Sequence, residues 1–188
     1  MRIVAGKYRG RTLLAPDVLT TRPTADRVRE SVFNIVDSRL RRAGVSWESV
    51  RVADVFAGSG AMGLEAVSRG ARFAVFMENN AAAAACLKKN AQFALDAGAV
   101  LHFEGDVFSS FTIDAPCDII FSDAPYKRHL TERALAALIE KGFIGAQTLC
   151  VVEREKDEKL TYPACFALSD SRTYGRAAVD FLQMVEGK

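Results

Sequence analysis

The sequence predicts an α/β protein: a mostly parallel sheet with helices on both faces and an antiparallel hairpin at its C-terminal end. Three observations carry this. Between Arg51 and Asp123 short apolar runs alternate with helical stretches, the pattern of parallel βαβ units. Gly58, Gly60 and Gly63 form G-x-G-x-x-G where the first of those runs gives way to a helix. The stretch from Phe166 to Met184 alternates around Tyr174-Gly175, which reads as a hairpin at the sheet edge.

With 188 residues, 49% of them hydrophobic and 26% charged, the chain can bury one substantial core and is short for two. Charge divides it unevenly. Residues 1–42 hold ten Lys or Arg against four Asp or Glu, whereas residues 43–188 carry a net −4. A basic arm and helix on a mildly acidic domain points to a polyanionic partner.

Taken in order, residues 1–20 mix Gly6, Gly10 and Pro16 with short apolar pieces and suit an extended arm or small hairpin. Thr24 can cap a helix running to about Arg42. Its apolar stripe is Val28, Val32, Ile35, Val36 and Leu40, and Arg27, Arg29, Arg39 and Arg41 fall on the opposite face. After Gly44 come a strand at Arg51 to Phe56, the glycine loop and its helix, a strand at Ala71 to Glu78, and a helix over Ala81 to Ala97. A strand at Ala99 to Asp106, another from Cys117, a helix from about Thr131 to Lys141 closed by Gly142, and a strand at Gln147 to Glu153 complete the alternation. Cys86, Cys117, Cys150 and Cys165 contain no CxxC pair and suit reduced thiols in a cytosol. The start MRIVAGKYRGR lacks a signal-peptide pattern and no run reaches membrane-spanning length, so a cytoplasmic protein with no membrane association is expected.

The glycine loop lets backbone amides approach a ligand at a helix N-terminus. Glu78, twenty residues beyond Gly58 at the end of the next strand, can accept hydrogen bonds from both hydroxyls of a ribose. Together they predict an adenosine cofactor, either NAD or S-adenosylmethionine. Asp54 favours the second, because a carboxylate beside the loop suits a cationic sulfonium better than a pyrophosphate. Asp106 can accept from an adenine amino group, with Val107 and Phe108 against the ring.

Asp123, Ala124, Pro125 and Tyr126 follow the strand from Cys117, on the edge where open α/β sheets bind ligands. A nucleobase amine has its lone pair conjugated into the ring and needs two acceptors to orient it. The Asp123 carboxylate can be one. The Ala124 carbonyl can be the other, since Pro125 restricts Ala124 to extended geometry and offers no competing N–H. Tyr126 can stack on the base. A nucleotide-dependent oxidoreductase would use the same glycine loop but has no need of this one. A non-catalytic RNA-binding module would have no need of Asp123.

Three segments, Asp54 to Gly60, Thr21-Arg22-Pro23-Thr24 with Asp26 to Glu30, and Arg172-Thr173-Tyr174-Gly175, resemble the bacterial 16S ribosomal RNA guanine-N2 methyltransferases of the RsmD type. The resemblance implies a Rossmann-like class I methyltransferase fold with seven strands. It also implies S-adenosylmethionine as donor, S-adenosylhomocysteine as product, and N2 of one guanine in 16S rRNA or a small-subunit assembly particle as target. The cofactor residues would be Asp54, Phe56, Gly58, Ser59, Gly60, Gly63, Glu78, Asn79, Asp106 and Val107. The catalytic loop would be Asp123, Ala124, Pro125 and Tyr126. Arg9, Arg11, Arg22 and Thr24 would meet the RNA, and the protein would act as a monomer. Ala124 stands where the family has a first loop proline. On the residues alone, adenine N6 in DNA or another RNA, or a glutamine side chain, would need similar acceptors.

Overall fold

The structure, a computed structural model, describes residues 1–15, 23–125 and 130–185, with the backbone alone for 23–25. Seven strands form one sheet: β1 (Arg51–Val55), β2 (Phe73–Met77), β3 (Val100–Glu104), β4 (Cys117–Ser122), β5 (Ile144–Glu155), β6 (Phe166–Tyr174) and β7 (Ala177–Met184). Their spatial order is β3-β2-β1-β4-β5-β7-β6, in which β3, β2, β1, β4 and β5 are parallel and β7 runs antiparallel to both β5 and β6. The strands β1 and β2 are buried at every residue, as expected for parallel strands covered on both faces.

The helices are α1 (Pro23–Arg42), α2 (Ala61–Arg69), α3 (Ala81–Asp96) and α4 (Leu130–Glu140). One face of the sheet packs against Val32, Phe33 and Val36 of α1, Leu64 of α2, and Leu87 and Ala91 of α3. The other packs against Ala134, Leu135 and Leu138 of α4. Because β1 lies between β2 and β4, its two neighbours are reached by connections leaving in opposite directions. A crevice therefore opens at the carboxyl ends of β1 and β4.

The N-terminal arm is a small hairpin, bridged at Arg2 and Thr12, whose Ile3 and Leu13 enter the same core as α1. The buried Glu65 carboxylate of α2 accepts from the Val4 and Ala5 N–H groups at 2.8 and 3.0 Å, and Ser68 Oγ accepts from Tyr8 N–H at 2.9 Å. A Cβ on Gly6, whose φ is +79°, would lie 1.9 Å from the Ser68 carbonyl oxygen, so only glycine permits this approach.

Two expectations for α1 need correction. The helix already includes Pro23, a residue suited to the first helical position, so Thr24 lies inside it rather than at its cap, and the Thr24 side chain falls outside the described residues. Arg29 is not displayed to solvent: it is 4% exposed, pairs with Asp26 at 2.7 Å and lies 3.9 Å from Glu65. Arg39 packs over the Phe181 ring at 5.3 Å and donates to Ser169 Oγ. Only Arg27 and Arg41 of the four expected are exposed.

Candidate active site

The crevice is built first by the turn out of β1. Phe56 adopts a φ of 59° without being glycine, the kind of local strain found where a ligand is held. The Ala57 N–H donates to the Met77 carbonyl and Gly60 N–H to the Ala57 carbonyl, which curls the loop tightly. Gly63 lets α2 lie flat on β2, since a Cβ there would come within 2.3 Å of the Phe76 ring. Ser59 is buried, and its carbonyl accepts from Asn90 Nδ2 at 2.9 Å, tying the loop to α3.

Carboxylates then line the sheet edge. Asp54 is 4% exposed and accepts from Gly63 N–H at 2.8 Å. Burial pushes its pKa up to about 7; the Gly63 N–H works against that and the Glu78 charge adds to it. At the end of β2, Glu78 accepts from Gly58 N–H through Oε2 (2.8 Å) and from Asn80 N–H through Oε1 (2.7 Å). Asp106, after β3, accepts from Phe108 N–H at 3.0 Å and from Asn79 Nδ2 at 3.3 Å. Val107 is buried in the core cluster that includes α4, and Phe108 is half-buried under the Arg133 guanidinium.

Asp123 follows β4, directly beyond the Val55↔Ser122 pair. Its carboxyl is pushed up to about 8, by the protein packed behind it, then by the charges of Glu153 and Asp54. The same residue is exposed on its open side, where water works against that shift. Ala124 is buried and Pro125 exposed. Tyr126 and Arg22 lie outside the described residues. Arg9 and Arg11 are exposed on the hairpin, with Arg11 stacked 4.3 Å over the Phe93 ring.

Sequence reasoning missed Glu65, Asn90 and Glu153. Asn90 holds both the glycine loop and the hairpin, accepting from Leu14 N–H at 2.8 Å. A lone asparagine within the alanine-rich α3 was the only available sign. Glu153 ends the apolar run of β5, where a carboxylate in an otherwise buried strand was a usable signal.

This strand order, with a glycine turn after β1 and an acidic loop after β4, defines a class I methyltransferase fold. The chain belongs to the family described as Conserved hypothetical protein 95, which it matches over residues 1–183, the family of the ribosomal RNA small subunit methyltransferases D. It is 36% identical over 190 residues to the Escherichia coli protein of that name, covering 97% of this chain and 89% of the other. To the Haemophilus influenzae protein of the same name it is 34% identical over 179 residues, covering 93% and 89%. The solved structure of yhhF from Escherichia coli superposes with a TM-score of 0.80 at 34% identity, covering 98% of this chain and 97% of that one.

Proposed function

We propose that this protein transfers a methyl group from S-adenosylmethionine to the exocyclic N2 of a guanine in 16S rRNA, on naked RNA or on a small-subunit assembly particle. It acts as a monomer in the cytoplasm. The observation that carries the reading is the position of Asp123 and the Ala124 carbonyl beside Asp54, on the sheet edge that also bears Glu78. Relatives at 34–36% identity named for small-subunit rRNA methylation support the substrate class.

The residues present fit the cofactor. Each oxygen of Glu78 already accepts one backbone N–H, which leaves a second lone pair on each for the two ribose hydroxyls. The edge carries the carboxyl groups of Asp54, Glu78, Asp106 and Asp123, and a cationic sulfonium bound beside them would favour the ionised forms that burial disfavours at Asp54 and Asp123, as the pyrophosphate of NAD would not. When bound, S-adenosylmethionine supplies a methyl group on a positively charged sulfur. The protein's own part is to accept the two amine hydrogens at Asp123 and at the Ala124 carbonyl, so that the nitrogen lone pair points at that methyl. Methyl transfer from the sulfur to that nitrogen would leave the nitrogen cationic. Asp123, with a pKa raised toward neutrality, can accept the proton it then sheds. Arg9, Arg11, Arg22 and Thr24 hold the RNA backbone while the base is extruded.

The test is to incubate the protein with methyl-labelled donor and undermodified small-subunit particles, then map the labelled nucleotide. Label at a guanine N2 is expected, and its absence from RNA would sink the reading. In calorimetry, S-adenosylhomocysteine should bind and NAD should not.

A further inference from the structure

The crevice contains a carboxylate that the chemistry above leaves unused. Val152 pairs with Ser122 in the sheet, so Glu153 stands beside Asp123, one residue past that pair and two before β5 ends. Pairing of Glu153 with Val179 of β7 keeps it within a regular strand rather than on a loop.

Strand alternation also fixes its side. Leu149, Val151 and Val179 face the core under α1, α2 and α3, whereas Cys150 and Val152 face α4. Glu153 therefore projects to the side of α1, α2 and α3. By the same alternation Asp54 follows Val52, and Asp123 follows Phe121, onto that side. Glu153 is half-buried and is the charge that acts most strongly on Asp123.

We propose that Glu153 selects guanine, accepting the ring N1–H that adjoins the amine held by Asp123 and the Ala124 carbonyl; this rests on the methyl transfer proposed above. The chemistry is one of matching edges. The amine of guanine is flanked by an N–H donor. The amines of adenine and cytosine are flanked by a bare ring nitrogen whose lone pair would face the Glu153 carboxylate. An acceptor placed in the crevice that meets an N–H on one base and a lone pair on another discriminates strongly between them. One carboxylate thereby separates the three bases that carry an exocyclic amine.

The experiment uses 2-aminopurine, which has the same 2-amine as guanine but no N1–H. It is placed by ligation at the nucleotide mapped in small-subunit RNA. The wild-type protein should methylate guanine with a kcat/KM on the order of 10³-fold above 2-aminopurine. In Glu153→Gln the amide oxygen can still accept from guanine, while its NH₂ can donate to the bare ring nitrogen. The ratio should fall below about tenfold, with S-adenosylhomocysteine binding unchanged. A wild-type ratio near one, or the same ratio in both proteins, overturns the role of Glu153 and leaves the methylation reading intact. Failure of the wild-type protein to methylate guanine at all takes down both.

Discussion

Asp54 is an acid kept out of water, and its cost depends on pH. With its pKa raised to about 7, the folded protein holds a proton there that the unfolded chain releases above about pH 4. Between those values the native state binds more protons than the unfolded one, so stability contributed at this site falls as pH rises and levels off above 7. Asp54→Asn keeps an oxygen for Gly63 N–H but cannot ionise. Urea unfolding of the ligand-free variant should show a gain over wild type that is larger at pH 8 than at pH 5 by roughly 1–3 kcal/mol. Its affinity for S-adenosylmethionine should fall at least tenfold. Equal pH dependence in the two proteins would show that Asp54 is not the titrating group. Asp123 makes a companion prediction. It must be ionised to accept the amine hydrogens, so kcat/KM should rise as pH climbs toward about 8 and then level off. Asp123→Ala should lose roughly 10²–10⁴-fold in rate while still binding S-adenosylhomocysteine; a flat profile from pH 6 to 9 would remove Asp123 from the chemistry.

At the scale of elements, what could be read from the sequence was what local pattern determines. The strands β1 and β2, the glycine turn and the β6–β7 hairpin follow from runs of apolar residues and the glycines between them. Arg29 could not be read that way, because its burial is set by Glu65 on another helix, 36 residues along the chain. The same holds for the arm: a small hairpin in the same globule could be read from the sequence, but not its fastening, where Glu65 and Ser68 hold its backbone to α2. In the site, Asp54, Glu78 and Asp123 could be picked out because each lies at or just past the carboxyl end of a strand. Glu153 also ends an apolar run, but its meaning depends on β5 lying beside β4, which no local pattern states. The fastening is testable. Glu65→Gln removes the charge that faces Arg69 at 3.0 Å and one of the two carboxylate oxygens that accept from the hairpin, and should cost about 1–3 kcal/mol, since Arg29 keeps Asp26 and Arg69 keeps Asp37. Hydrogen exchange should show the amides of Val4, Ala5 and Tyr8 losing protection before those of β1; loss of protection everywhere at once would mean that the hairpin and domain unfold as one unit.

Across the whole molecule, charge is divided between two surfaces, and on the proposed function the two parts of an RNA would meet different ones. Lys7, Arg9 and Arg11 are exposed on the hairpin, and the crevice edge bears Asp54, Glu78, Asp123 and Glu153. Phosphates would be attracted to the first and not to the second, whereas an extruded base carries no charge and could enter the acidic crevice. On the proposed function this division would set register, with the backbone drawn to the hairpin and the base to the crevice. Salt dependence measures this directly, because each phosphate neutralised contributes about 0.7 to the slope of log Kd against log salt on single strands and about 0.9 on duplex. Replacing Arg9 and Arg11 together by Ala should lower that slope by roughly 1.4–1.8 and weaken RNA binding uniformly across sequences, while kcat at saturating RNA stays near the wild-type value. Asp123→Asn should leave the slope unchanged, since the Asp123 carboxyl, pushed up to about 8, carries little charge at neutral pH. If the double variant kept the wild-type slope, the hairpin would not touch phosphate, and its rigid attachment to α2 would have to serve the fold alone.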